Sequence, residues 1–134
     1  MTTFQLYDYA EQNNVEVYNF PLGGRKALSI PLEGGVCAVA MDTFRMTASD
    51  EKEALAHELG HCMTHTFYTP VTPMVTRARC EVRAIKWAIR HIIPEASFMY
   101  YLRQGRELWE LADIFEVDPE LIEKAANLYL YNHI

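Results

Sequence analysis

The five residues His57-Glu58-Leu59-Gly60-His61 constrain this chain more than any other feature, because they can place two imidazoles and a carboxylate around one point. An α-helix turns by about 100° per residue, so His57 and His61 project from one face, one turn apart. Two ring nitrogens at that spacing can bind one metal ion at about 2.0–2.1 Å. Glu58 lies beside them, where its carboxylate can contact a water molecule without ligating the metal. The pattern is typical of a catalytic zinc site.

The sequence around this motif predicts a helix that is anchored on one face. The residues Thr47 to Asp50 resemble a helix start, and Asp50 with Glu53 forms a capping pair. Apolar residues then repeat at helical spacing and predict a buried stripe: Leu55, Leu59, Cys62 and Met63. The two histidines lie off that stripe, where they can face a cleft. The alternative is an amphipathic helix whose histidines are ordinary residues of its polar face.

A catalytic zinc site normally has three protein ligands and one open position, so a third ligand must come from elsewhere. His65 continues the series of histidines, but eight residues of helix span about 12 Å, too far for one metal to be shared with both others. Glu81 is the better candidate, since it follows a proline-containing loop and begins a predicted helix over residues 81–93. Its alternative role is a solvated glutamate in the first turn of that helix. Glu53 and Glu95 are the remaining alternatives.

Three stretches carry a resemblance to a known family. The motif at 57–61 is followed by His65, the pattern Glu81-x-x-Ala84-x-x-x-Ala88 ends in Ile92-Ile93-Pro94, and a weaker similarity extends over Leu108 to Leu128. Together they resemble the ImmA/IrrE-type metallopeptidases, small zincin-fold proteins found beside repressors in phages and mobile elements. The resemblance is strongest in the middle of the chain, and the N-terminal segment up to about residue 30 shows little to match.

By position, the resemblance implies His57, His61 and Glu81 as ligands of one Zn²⁺ and Glu58 as the catalytic carboxylate. It implies a zinc-dependent metallo-endopeptidase that cleaves a protein partner, a repressor of a phage or mobile element. The alternative is a non-catalytic anti-repressor or regulatory interaction protein that retains a zincin fold. Catalysis also needs a donor to the developing oxyanion. The sequence does not choose among the side chains available for that role: His65, Tyr68, Tyr100 and Tyr101.

The expected fold class is α+β and zincin-like, with a small antiparallel sheet, a motif helix and a second ligand-bearing helix. A helix is predicted near residues 3–13, followed by strands at 15–18, 26–32 and 36–41 that are joined through Gly23-Gly24 and Gly34-Gly35. The last strand directly precedes the motif helix, so we expect its free edge to pair with an extended substrate. Residues 66–76 read as a loop because they contain two prolines and little periodicity.

Length and composition fit one domain over residues 1–134, with a helical segment at about 95–134 packed as a subdomain. Half of the residues are apolar and 22 % are charged, which argues against disorder. The two-helix pattern at 108–131 raises the alternative of helix-turn-helix DNA binding. However, seven carboxylates against two basic side chains after residue 105 would repel phosphate, so no direct nucleic-acid contact is expected.

The three cysteines and the N-terminus indicate where the protein resides. Cys37, Cys62 and Cys80 are odd in number and have no CxxC spacing, so they are expected to be reduced and mostly buried thiols of a cytosolic protein. The N-terminus has no basic and apolar segments of an export signal, and no apolar run approaches a membrane span. We therefore expect the cytoplasm of a bacterial or phage-infected bacterial cell, without membrane contact. The sequence does not indicate an oligomeric state.

Overall fold

Six α-helices and three short β-strands make up the structure, a computed structural model that describes every residue from Met1 to Ile134. In chain order the elements are α1 (Thr3–Gln12), β1 (Val15–Asn19), β2 (Ala27–Pro31), β3 (Cys37–Met41), α2 (Ala48–Thr64), α3 (Met74–Ile92), α4 (Glu95–Arg103), α5 (Leu108–Phe115) and α6 (Pro119–Tyr131). Two short 3₁₀ helices, Glu33–Gly35 and Thr43–Arg45, flank β3. No helix combines the length and the apolar character needed to cross a membrane.

The α+β class is confirmed, but the prediction of an antiparallel sheet is wrong for one of its two strand pairs. The sheet is mixed and has the order β1-β3-β2. β2 and β3 form an antiparallel pair through Gly34-Gly35, whereas β1 runs parallel to β3 with Val15 opposite Cys37. The segment 20–26 carries the chain from one side of β3 to the other, so Gly23-Gly24 does not close a hairpin between sequential strands. The central strand is therefore β3, and β1 and β2 form the edges.

The motif helix begins within the predicted segment Thr47 to Asp50, whereas the second ligand helix begins earlier than predicted. Thr47 caps α2: its side chain accepts a hydrogen bond from the Asp50 backbone N–H, and the Asp50 carboxylate accepts one from the Thr47 N–H. The predicted capping pair of Asp50 and Glu53 is thus wrong by one turn. The helix α3 begins at Met74, directly after Pro73, and no proline or glycine interrupts it before Ile92. Glu81 accordingly lies in the middle of α3, which rules out a solvated first-turn position.

The hydrophobic core draws side chains from all six helices and from β1 and β3. Its fully buried members include Leu6, Val39, Leu55, Leu59, Ile89, Phe98, Leu111 and Ile122. The predicted stripe of α2 is buried at Leu55, Leu59 and Cys62, while Met63 is only half-buried. Since α2 contributes to the core on that face, its histidine face is left to form a wall of a cleft.

The C-terminal helices are attached to the first half of α2 by polar contacts. The buried Lys52 ammonium donates to the Phe115 carbonyl oxygen at the end of α5, at 2.5 Å. At the turn between α5 and α6, the Asp118 backbone N–H donates to Glu53 Oε2 at 3.0 Å, and Ser49 Oγ donates to the Asp118 carboxylate. These contacts hold the first half of α2 against the end of α5 and the start of α6.

A disulfide joins Cys37 of β3 to Cys62 of α2, and Cys80 is the one free cysteine. The prediction of three reduced thiols is therefore wrong in this structure. The two half-cystines are 25 residues apart in the chain. They meet because α2 packs on the sheet, a tertiary contact that cysteine spacing alone does not reveal. The bond also removes Cys62 as a thiolate ligand for a metal.

Candidate metal centre

The imidazoles of His57 and His61 face each other on one side of α2. Their Nε2 atoms are 3.2 Å apart, as expected for side chains separated by one helical turn. His61 is buried, with 7 % of its side chain exposed, whereas His57 is half-buried and opens towards the cleft. The spacing therefore produces the pair of nitrogens that the motif predicted.

Glu81 reaches this pair from α3. Its Oε2 lies 2.8 Å from His57 Nε2, and its Oε1 lies 3.2 Å from His61 Nε2. Donor atoms of all three residues lie within 4.8 Å of one another, so the group could hold a metal ion. Ligands at about 2.0–2.1 Å from a tetrahedral ion are about 3.3 Å apart, close to these separations. The three predicted ligands are thus brought together.

The tautomer of His61 also fits a cation at this point. His61 Nδ1 lies 2.6 Å from the Thr66 carbonyl oxygen. Because a carbonyl only accepts hydrogen bonds, Nδ1 carries a hydrogen, and Nε2 is the nitrogen that faces Glu81 Oε1. In a neutral ring, Nε2 would offer its lone pair to a metal ion, and the Thr66 carbonyl would be the hydrogen-bond partner that orients a ligating histidine.

Gly60, inside the motif, allows Glu81 to approach. A Cβ atom added at Gly60 would lie 2.4 Å from the backbone oxygen of Ala84 and 3.0 Å from its Cα. The helices α2 and α3 are therefore in backbone contact at this point, where a larger residue has no room. Ala84 follows Glu81 by three residues, so the contact holds the carboxylate-bearing turn of α3 against the histidine face of α2. Gly60 therefore has a packing role that is separate from metal binding.

Glu58 lies beside the three-residue group without belonging to it. It is 92 % buried, since only 8 % of its surface is exposed, and Ser29 Oγ of β2 donates to its Oε1 at 3.1 Å. Burial raises the pKa of Glu58 above its ordinary value, against the opposing effect of the two nearby imidazoles. Sequence reasoning missed Ser29. The available signal was a single hydroxyl between Leu28 and Ile30 in the second strand.

Tyr68 contacts the site from the segment between α2 and α3. Its hydroxyl donates to Glu81 Oε1 at 2.5 Å, and this hydrogen bond is the main cause that raises the pKa of Tyr68 to about 12. Burial opposes ionisation of Glu81, but the Tyr68 hydroxyl and the two imidazoles outweigh it, so the pKa of Glu81 is lowered. The carboxylate is therefore kept in its ionised form.

The other side chains considered from sequence lie outside the three-residue group. Glu53 lines the same cleft but is bound to the Asp118 backbone N–H, and Glu95 is in the first turn of α4. His65 ends α2 in a left-handed conformation, with φ of 54°, and is exposed. Tyr100 and Tyr101 stack edge to face on α4, away from the cleft. Tyr68 is the one member of the four proposed oxyanion donors that lies at the site.

An open cleft of about 650 Å³ surrounds these residues. One wall is β2, represented by Ala27 to Ile30, and the others come from α2, α3 and the segment Thr66–Tyr68. Because β3 is paired on both sides, the expectation that its free edge meets a substrate is wrong. The free edge beside the cleft belongs to β2.

Comparisons with known proteins yield no relative. The sequence matches no protein-family model, and neither the curated proteins nor the solved structures contain a match for this chain.

Proposed function

We propose that the chain is a zinc-dependent metallo-endopeptidase. One observation carries the proposal: a buried carboxylate, Glu58, lies in the same cleft as a separate three-donor group and is not part of it. Two imidazole nitrogens and one carboxylate oxygen are a donor set that catalytic zinc prefers, with the fourth position left open. A carboxylate next to such a group is the arrangement that hydrolysis requires.

The residues divide the chemistry between them. When bound, the metal supplies a Lewis acid that polarises the scissile carbonyl and lowers the pKa of water towards about 7. Glu58 accepts a proton from the attacking water and then delivers it to the nitrogen of the leaving amine. Ser29 holds Oε1 of Glu58 by a hydrogen bond, which leaves the second oxygen free to accept a proton from water. The raised pKa of Glu58 suits a group that must both accept and return a proton.

The shape of the cleft supports an extended protein segment as the substrate. The outer edge of β2 borders the cleft, and a peptide can add to such an edge through backbone hydrogen bonds. An open cleft suits a site inside a chain rather than a terminus. Following the resemblance to the ImmA/IrrE-type peptidases, we propose that the substrate is a repressor of a phage or mobile element. The proposed location is then the bacterial cytoplasm.

The substitution Glu58→Gln tests this proposal. We expect the variant to bind one zinc ion per chain, because Glu58 is not a ligand. Cleavage should fall by about 10²–10⁴-fold, the usual contribution of a general base. The measurements are the zinc content and the cleavage of the repressor encoded nearest to the gene, followed by intact mass. Glu123→Gln, the same change at an exposed position of α6, is the matched control.

Two results would contradict the peptidase. One is a wild-type chain that takes up no zinc when it is supplied, and the other is a Glu58→Gln variant that cleaves as fast as the wild type. A third result would favour the alternative of a non-catalytic anti-repressor: a Glu58→Gln variant that relieves repression in full while neither protein cuts the repressor. The exposed apolar side chains near the start of α3, including Val71 and Met74, would suit such a binding role.

A further inference from the structure

The hydroxyl of Tyr68 points into the metal group rather than into the core. Its hydrogen bond is to Glu81 Oε1, and its ring centroid lies 6.2 Å from that of His61. The residue is 41 % exposed and lines the cleft together with the three ligand residues. By contrast, the half-buried Tyr101 packs against the core residue Phe115. Packing accounts for the position of Tyr101 but not for that of Tyr68.

The segment that carries Tyr68 is buried at one end and exposed at the other. Two residues earlier, the buried Thr66 accepts a hydrogen bond from His61 through its carbonyl oxygen. Beyond Tyr68, the residues up to Pro73 are mostly exposed. The backbone near the ligands is therefore fixed, while the tyrosine ring has solvent and the cleft on its outer side. It can turn from Glu81 to a substrate without disturbing the core.

Three other hydrogen-bond donors of the cleft already have partners, whereas the exposed Arg25 guanidinium has none. Ser29 Oγ is bound to Glu58, and the Lys26 ammonium is paired with Asp50 at 3.5 Å. The Thr66 hydroxyl is buried between Thr64 and His61. The Tyr68 hydroxyl differs from these because its acceptor is itself a proposed ligand of the metal. A substrate carbonyl that approached a metal held by this group would therefore pass close to the Tyr68 hydroxyl.

We propose that Tyr68 is a catalytic residue that donates a hydrogen bond to the oxygen of the scissile carbonyl. This inference rests on the proposed peptidase function and deepens it. During hydrolysis the water oxygen bonds to the carbonyl carbon, the C–N bond breaks, and Glu58 carries the proton from water to the amine. The carbonyl oxygen gains negative charge in between, and the Tyr68 hydroxyl stabilises it while keeping its own proton.

The substitution Tyr68→Phe removes the hydroxyl and keeps the ring. On the zinc-loaded chain we expect kcat to fall by about 10²–10³-fold, the usual effect of losing one oxyanion donor, with KM nearly unchanged. A peptide phosphinate that imitates the tetrahedral intermediate should lose a similar factor in affinity, while zinc affinity measured against a competing chelator should stay within about threefold of the wild type. Tyr100→Phe, at an exposed tyrosine outside the cleft, is the control and should match the wild type.

Two outcomes would overturn the role of Tyr68 alone. If Tyr68→Phe cleaves as fast as the wild type, the hydroxyl is not a donor in the reaction. If zinc affinity falls by about 10–100-fold and kcat returns at saturating zinc, Tyr68 only positions Glu81. A wild-type chain that holds zinc but neither cleaves peptides nor binds the phosphinate would overturn the peptidase and this role together. The wild-type measurements therefore separate the two failures.

Discussion

At the scale of single residues, Glu53 is a half-buried carboxylate of the cleft that lies outside the metal group. It lies one turn before His57 and is bound to the Asp118 backbone N–H. Burial, together with the carboxylates of Asp118 and Asp50, raises the pKa of Glu53 to about 7 in spite of that hydrogen bond. A group with a raised pKa in the folded chain binds its proton more tightly than the unfolded chain does. Glu53 therefore makes stability depend on pH.

The sign of that dependence gives the first prediction. The stabilisation is fully present below the ordinary pKa of about 4.5 and is lost as the pH rises through about 7. Glu53→Gln keeps an acceptor oxygen for Asp118 and removes the charge, so the variant should be more stable than the wild type at pH 8, by about 1–2 kcal/mol after solvent screening. Urea unfolding at pH 5 and pH 8 measures this. The idea fails if the difference between the two proteins is the same at both pH values.

Glu81 gives a second prediction at this scale. Glu81→Gln replaces a charged proposed ligand by a neutral amide of the same size. Zinc affinity should fall by at least about 100-fold, which is more than is usual when a hydrogen-bond partner of a ligand is removed. Competition with a zinc chelator measures the change. Glu95→Gln, a substitution in the first turn of α4 and outside the metal group, is the control. Equal zinc affinity in the two variants would show that Glu81 is not a ligand.

At the scale of elements, the contact between α2 and α3 determines where the ligands lie. Gly60 and Ala84 bring the two backbones together, because a Cβ at position 60 would overlap the carbonyl oxygen of Ala84. The same two helices supply every donor of the metal group. A shift of one helix away from the other would therefore separate the Glu81 carboxylate from the imidazoles.

The third prediction concerns this contact. In an exposed helix Gly→Ala usually stabilises by up to about 1 kcal/mol, but Gly60→Ala should destabilise by about 1–3 kcal/mol, because the added methyl group overpacks the interface. Zinc affinity should fall as well. The double variant Gly60→Ala/Ala84→Gly should remain destabilised, since the overlap is with backbone rather than with the Ala84 side chain. Urea unfolding checks both proteins, and a stabilised single variant would contradict the close contact.

At the scale of the whole molecule, the disulfide links the sheet to the metal-bearing helix. Cys62 directly follows His61, and Cys37 begins the central strand β3. The bond closes a loop whose ends are 25 residues apart, for which chain entropy gives about 3 kcal/mol of stabilisation. Such bonds persist mainly in oxidising compartments. The state of this pair therefore bears directly on the proposed cytoplasmic location.

The fourth prediction concerns the number of free thiols per chain. After purification without reductant and alkylation in denaturant, the structure requires one modified cysteine per chain, Cys80, whereas a fully reduced protein shows three. The double variant Cys37→Ser/Cys62→Ser should unfold about 3 kcal/mol more easily than the oxidised wild type. Cys80→Ser is the control and should unfold like the wild type. Mass spectrometry and urea unfolding are the measurements, and three modified cysteines would show that the bond is absent.

The features that depend on short stretches of sequence were predicted better than those that depend on contacts between distant residues. The helical spacing of His57 and His61 and the positions of the three strands follow from short stretches of sequence, and both agree with the structure. Glu81 was placed in the group because three ligands were needed and a family resemblance implied it. Its place within α3 was wrong, because the helix begins seven residues before it.

The features that sequence did not reveal depend on packing between elements. The parallel pairing of β1 with β3 depends on how residues 20–26 cross the sheet, and the disulfide depends on how α2 lies against β3. Ser29 contacts Glu58 only because β2 is the edge strand beside α2. Each of these contacts joins positions more than twenty residues apart, for which no local periodicity gives a signal.

The two ligand helices are neighbours in sequence, and this has a consequence for the order of folding. A short segment joins α2 to α3, so closing that loop costs little entropy, whereas pairing β1 with β3 must bring together residues 22 apart. We expect the helix pair to form in the rate-limiting step and the parallel strand pair to form later. Zinc added during refolding should then speed folding itself, rather than merely slow the reverse process.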